Sequence, residues 1–119
     1  MVGTVEIITG IKIPAGESLS NGVDCSAGRV IRITTPAEWD HAEISFQVSS
    51  DGNGYSDLYR QDGTEVEIPC GKNRGIIVHQ DEWLPGLFVK IRSGTSVQPY
   101  PQSEEREFAI ALLVEGGVT

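Results

Sequence analysis

The chain is poor in the side chains from which active sites are most often built: its 119 residues include two histidines, two cysteines and one methionine. Nucleophilic catalysis of the Ser-His-acid kind needs a histidine beside both a nucleophile and an orienting acid. His41 follows Asp40, and His79 stands two residues before Asp81. Both lie where strands give way to loops, so each is read as a polar loop residue, and no catalytic residue is assigned. Cys25 and Cys70 are 45 positions apart with no CxxC spacing. Two free thiols in a reducing compartment are expected, in preference to a disulfide or a metal site. Basic residues are scarce too, nine against 17 acidic ones, which leaves a net charge of -8. Nucleic acid and anionic membrane both require a basic surface, so neither is an expected partner.

Long apolar runs are missing as well. Nothing approaches the roughly 18 apolar residues of a membrane span. Met1–Gly10 has neither the charged start nor the continuous apolar stretch of a secretory signal. A soluble protein made in a cytoplasm is the expectation. Helical spacing is also absent: no stretch of ten residues sustains it between two caps. What is present is a series of short runs rich in Val, Ile, Phe and Tyr, separated by Gly, Pro, Asp and Asn. At this length they specify one domain.

Nine runs read as strands: Thr4–Thr9, Ile11–Ile13, Arg29–Thr34, Glu43–Ser50, Ser56–Arg60, Glu65–Ile68, Gly75–His79, Leu87–Ser93 and Arg106–Glu115. The expected fold is all-β, a single antiparallel two-sheet β-sandwich over residues 1–119, with 1–14 as an N-terminal arm or edge strand. In Glu43-Ile44-Ser45-Phe46-Gln47-Val48-Ser49 the apolar residues share one face, so that strand should pack on one side. In Glu65-Val66-Glu67-Ile68 both carboxylates should point to solvent or to a partner. The last run is apolar on both faces, with Phe108, Ile110, Leu112 and Val114 on one and Ala109, Ala111 and Leu113 on the other. It is either central or covered by another subunit.

Asp51-Gly52 and Asp62-Gly63 supply the positive φ of tight turns, so residues 43–68 read as a meander. Pro36-Ala37-Glu38-Trp39-Asp40 and Gln80-Asp81-Glu82-Trp83-Leu84-Pro85-Gly86 each place Glu-Trp between strands, and each reads as one helical turn. The run from Asp51 to Asp57 alternates oxygen-bearing residues as calcium loops do. However, Tyr55, Ser56 and Asp62 stand where such a loop needs an oxygen ligand, a glycine and a glutamate, so a turn is expected. Neighbouring acids such as Glu104 with Glu105 do not converge on a substrate from two sides. Tyr55, Tyr59, Tyr100, Trp39 and Trp83 offer surfaces for stacking on sugars, although a tryptophan in an arch commonly closes the end of a core. The segment 94–103 is patternless and carries Pro99 and Pro101 around Tyr100. Loops of this length are often functional. The candidate contact residues are therefore Gln98, Pro99, Tyr100, Pro101 and Trp83.

Several stretches taken in order, Ile44-Ser45-Phe46-Gln47-Val48-Ser49-Ser50-Asp51-Gly52, Tyr55-Ser56-Asp57-Leu58-Tyr59, Gly63-Thr64-Glu65-Val66 and Phe88-Val89-Lys90-Ile91-Arg92-Ser93-Gly94-Thr95, precede Pro101-Gln102 and Arg106. This order resembles small virion accessory proteins of tailed bacteriophages, over about residues 15–115. The resemblance implies a jelly-roll-like sandwich without catalytic residues or cofactors. It implies a location on the virion and binding to the major capsid protein as a decoration or cement protein, as a homo-oligomer with a trimer favoured. Gly10–Gly22 would then be an arm lying on the capsid. The alternative is a tail accessory or carbohydrate-binding module that recognises host surface glycans.

Overall fold

The structure is a computed structural model that describes residues 3–79, 83 and 87–115. Among these residues there are strands and no helix: β1 (Gly3–Ile13), β2 (Val23–Cys25), β3 (Arg29–Thr34), β4 (Ile44–Ser49), β5 (Ser56–Asp57), β6 (Glu67–Ile68), β7 (Gly75–Ile77), β8 (Leu87–Ser93) and β9 (Arg106–Glu115). They form two antiparallel sheets, one ordered β1-β9-β3-β7 and the other β2-β8-β4-β5, with β6 also paired to β4. Both sheets contribute to one buried cluster. Ile11, Ile13, Val30, Ile33, Phe108, Ile110 and Leu112 come from the first, and Ile44, Phe46, Val89 and Ile91 from the second. The arrangement is sandwich-like, as the alternating apolar runs require.

The two N-terminal runs are one strand. The register of β1 on β9 shifts between Ile8 and Ile11, where Gly10 takes φ 79°. The extra residue is absorbed as a bulge, which a glycine accommodates without steric cost. Gly10–Ile13 thus belongs to this strand, and no free arm begins at Gly10. Strand β9 lies between β1 and β3, which accounts for its two apolar faces: it is the central strand.

Residues 43–68 do not form a meander. β5 and β6 both pair with β4, end to end along one edge: Gln47 and Val48 face Asp57 and Ser56, whereas Ile44 and Ser45 face Ile68 and Glu67. Between them, residues 58–66 leave the sheet as a small hairpin, with Leu58 and Val66 hydrogen-bonded at its base and Gly63 at φ 91° in its turn. β4 has a second covered face as well: Ser45 Oγ donates to Gly94 O and accepts from Arg92 Nε, and Ser49 Oγ accepts from Gly52 N. Ser45 and Ser49 are buried along with Ile44 and Phe46, so the strand packs on both sides.

The expected helical turn at Pro36–Asp40 does not form, because its backbone groups bond to distant partners instead. Asn73 donates its N–H to Pro36 O, and Asp40 donates its own to the Gln102 side chain. Both tryptophans close the core. Trp39 meets Phe108 edge-on at 5.4 Å and donates from Nε1 to Ala42 O, and Trp83 meets Phe46 edge-on at 4.9 Å. The residues flanking Trp83, 80–82 and 84–86, lie outside the described set, and so does the turn expected there.

Phe46 is fully buried against Trp83. Phe46→Ala is expected to lower the unfolding free energy by about 3–5 kcal/mol through lost burial and the cavity left behind, measured by urea denaturation.

Candidate functional site

Strand β8 ends at Ser93 and β9 begins at Arg106, and the twelve-residue connection between them is tightly held. Gly94 turns at φ 87°. It donates to Glu43 O at 2.7 Å and bridges to Pro99, while Tyr100 donates back to Ser93 O at 2.9 Å. A Cβ at position 94 would stand 2.4 Å from Gln98 O and 2.7 Å from Tyr100 N. Only glycine fits this close approach of backbone to backbone. Inside the turn, Thr95 and Gln98 exchange hydrogen bonds.

Two buried arginines anchor this connection, one at each end. Arg92, on β8, is 5% exposed. It donates from Nε to Ser45 Oγ at 2.9 Å, from Nη1 to Asp57 Oδ1 at 2.7 Å and from Nη2 to Glu65 Oε2 at 2.7 Å. Ser45 donates its hydroxyl to Gly94 O, and the Glu65 carboxylate accepts from both the N–H and the hydroxyl of Ser96. Glu65 is therefore an internal ligand of Arg92, with a side chain 10% exposed, whereas Glu67 is the carboxylate that faces outward. The alternation in the sequence placed both outside. The difference arises because a buried guanidinium must be neutralised where it lies.

Arg106 organises the other end. It donates from Nε to Gln102 Oε1 at 3.0 Å and from Nη2 to Asp40 Oδ1 at 3.0 Å. Gln102 is fully buried and uses its whole amide. Its Nε2 donates to Asp40 O and Ser93 Oγ, and its Oε1 accepts from Asp40 N and Arg106. Gln102 also exchanges backbone bonds with Gly16 and Glu17. Among the described residues no buried side-chain nitrogen or oxygen lacks a partner, which is the condition under which polar networks of this kind are stable.

The anchored loop presents Val97, Gln98, Pro99, Tyr100 and Pro101 to solvent, with Val97 87% and Tyr100 45% exposed. Four of the five expected contact residues are thus brought together. The fifth, Trp83, is 3% exposed; its ring is core, and it offers no contact surface. Beside the loop is an open hollow of about 460 Å³ whose lining includes His41, Glu43, Glu67, Cys70, Gln98 and Tyr100, and, among the described residues, no lysine or arginine. Cys25 and Cys70 are both free. Burial pushes each thiol up to about 11, which keeps the thiolate form scarce at neutral pH. No group of three His, Cys, Asp or Glu among the described residues is placed to hold a metal ion.

The anchors Arg92, Arg106, Asp40, Asp57, Glu65 and Gln102 went unread in the sequence. The one available signal was an arginine inside an apolar strand, Lys90-Ile91-Arg92-Ser93. Its acids lie 27 and 35 positions away, beyond any local pattern.

Arg92→Ala leaves Glu65 and Asp57 without their cation and is expected to cost about 3–5 kcal/mol of stability, read by denaturant titration. The hydrogen bond from Arg92, followed by one from Gln47, holds the Asp57 carboxyl below its ordinary range. A carboxyl depressed in the folded state stabilises above its unfolded pKa, and the benefit is lost as pH falls through the folded value. The stability gap between the native chain and Asp57→Asn should therefore stay constant above about pH 5 and shrink below about pH 4, measured by urea titrations across that range. Comparison of the chain with protein-family models, curated proteins and solved structures found no match.

Proposed function

We propose that this chain is a non-enzymatic structural protein of a tailed-bacteriophage virion, made in the host cytoplasm, that docks on the major capsid protein of the assembled head and decorates or cements it as a small homo-oligomer. The observation that carries this reading is the loop Val97–Pro101, exposed at its tip and pinned at both ends by buried arginines. A pre-ordered loop loses little conformational entropy on docking, which favours attachment at many equivalent sites. Exposed Val97 and Tyr100 supply the apolar and aromatic contact typical of interface centres.

The fold is proposed to be a jelly roll. Its support is the strand order: β1-β9-β3-β7 against β2-β8-β4-β5, with β6 continuing β5 along β4, matches two interleaved Greek keys of eight strands once β5 and β6 count as one. Jelly rolls serve in viral capsids and in lectins, and that is an analogy of fold alone. The net charge of -8 suits a protein that must stay soluble and avoid nucleic acid while particles assemble.

The hollow beside Tyr100 favours a second reading, a tail accessory or glycan-binding module. There the ring offers a face for a pyranose, and Glu43, Glu67 and Gln98 offer hydroxyl partners.

Co-sedimentation with heads of the encoding phage tests the first reading. The native chain is expected to pellet with heads, and Tyr100→Ala to bind more weakly by on the order of 2 kcal/mol. Failure to bind heads, together with a glycan-array signal abolished by Tyr100→Ala, would replace the first reading with the second.

A further inference from the structure

Half of strand β1 has its outer edge covered, and half does not. The strand stands at the end of its sheet, with β9 on one side only. Over Gly10–Lys12 the other side is occupied by Asn21, whose Nδ2 donates to Gly10 O and whose Oδ1 accepts from Lys12 N at 2.8 Å. The backbone N–H of Asn21 also donates to Lys12 O. The same segment is fastened to β8, where Ser20 donates to Ile91 O and Ser93 donates to Ser18 O. Residues 18–21 thus seal this side between the two sheets. Over Gly3–Ile8 no described residue outside β9 hydrogen-bonds the backbone.

An open edge is a template for another strand, and proteins usually blunt it with proline, lysine, a bulge or a covering loop. Among the described residues a bulge and a cover protect the edge from Gly10 onward, and none of these devices protects it before Gly10. Gly3–Ile8 holds no proline and no lysine, and its single charge is Glu6. The outer face adds apolar surface. Val5 and Ile7, paired with Leu113 and Ala111 of β9, are 53% and 55% exposed.

We infer that this free edge pairs with the same edge of a second copy, antiparallel about a two-fold axis through Val5. Pairing of an edge with itself is isologous and closes at two copies, in place of the trimer that the resemblance implies. Side chains directly opposite in an antiparallel pair share a face, and this limits the register. With the axis at Val5, Val5 meets Val5 of the second copy, Ile7 meets Gly3, and the Thr4 hydroxyl lies opposite the Glu6 carboxylate. An axis at Glu6 would set two carboxylates against each other. An axis at Ile7 would drive the second copy into Gly10, where Asn21 already sits. The result is two four-stranded sheets joined into one continuous sheet, with Val5 and Ile7 of both copies side by side. The pairing does not depend on the capsid reading, because it is read from mass in solution and head binding is measured separately.

Sedimentation velocity over a wide concentration range tests it. The native chain should show a monomer–dimer equilibrium. Val5→Lys should weaken the dimer about tenfold or more with an unchanged unfolding midpoint. Ile77→Lys, on the strand at the far end of the same sheet and 75% exposed, should leave it intact. Val5→Cys under oxidation should give a dimer linked through position 5, because opposed Cα atoms lie at about 4.5–5.5 Å, within disulfide reach, whereas Glu6→Cys should not. A monomer at every concentration, a trimer, or a dimer sensitive to Ile77→Lys and not to Val5→Lys overturns the inference. Should Val5→Lys unfold the chain, absence of the Val5→Cys cross-link overturns it on its own.

Discussion

Two guanidinium groups removed from water are the constraint around which much of this molecule is arranged. A buried cation that lacks its counter-charge costs several kcal/mol, more than most single contacts return. Arg92 and Arg106 are therefore tolerable only where the chain brings acids and amides to them. For Arg92 this requires the 58–66 hairpin to fold over the outer face of β4 and β8, since Asp57 immediately precedes that hairpin and Glu65 lies within it. For Arg106 it requires the Trp39–Asp40 corner to meet Gln102. Each network also captures one end of the 94–105 connection, through Ser96 in one case and Gln102 and Ser103 in the other. The hairpin, the corner and the loop are consequently one coupled structure, and the loop is ordered by charges that lie beneath it.

The two apolar layers were readable from pattern, and the polar scaffold was not. Arg29–Thr34, Leu87–Ser93 and Arg106–Glu115 have the same bounds in sequence and structure. These are long strands with apolar alternation or two apolar faces, and turn residues limit them on either side. β5 and β6 are two-residue remnants of the runs Ser56–Arg60 and Glu65–Ile68, and β2, three residues long, has no strand pattern; pairing alone sets the bounds of all three. Glu65 shows the limit most clearly. Its neighbours Val66 and Ile68 assign it to the solvent side, yet a cation 27 positions away draws it inward. Prolines on either side of Tyr100 marked the exposed loop correctly, because proline lacks the N–H that a strand interior needs. Trp83 misled because a large aromatic near a turn reads equally as a contact residue or as core.

Placement also changes what the acidic surplus means. Asp40, Asp57 and Glu65 neutralise the two arginines, so these charges are spent inside the fold. The surface that remains is still acidic, and the hollow beside Tyr100 has Glu43 and Glu67 in its lining together with His41. Ligands presenting hydroxyl or cationic groups suit such a surface, and anionic ones do not.

The exposed loop and the open edge lie at opposite ends of one strand, so the contacts proposed for each do not compete. Ile13 pairs with Arg106, where the loop joins β9, and Val5 pairs with Leu113 near the strand's other end. Seven residues of extended chain separate these positions, about 23 Å, in a molecule 49 Å along its longest axis. Two copies joined through Val5 would thus hold their loops away from the shared axis, one at each end of the pair. Neither loop would be covered by self-association, and each would keep its anchoring arginines within its own chain. Avidity then follows if both loops reach equivalent sites at once, because the second contact forms at the effective concentration set by the rigid joined sheet.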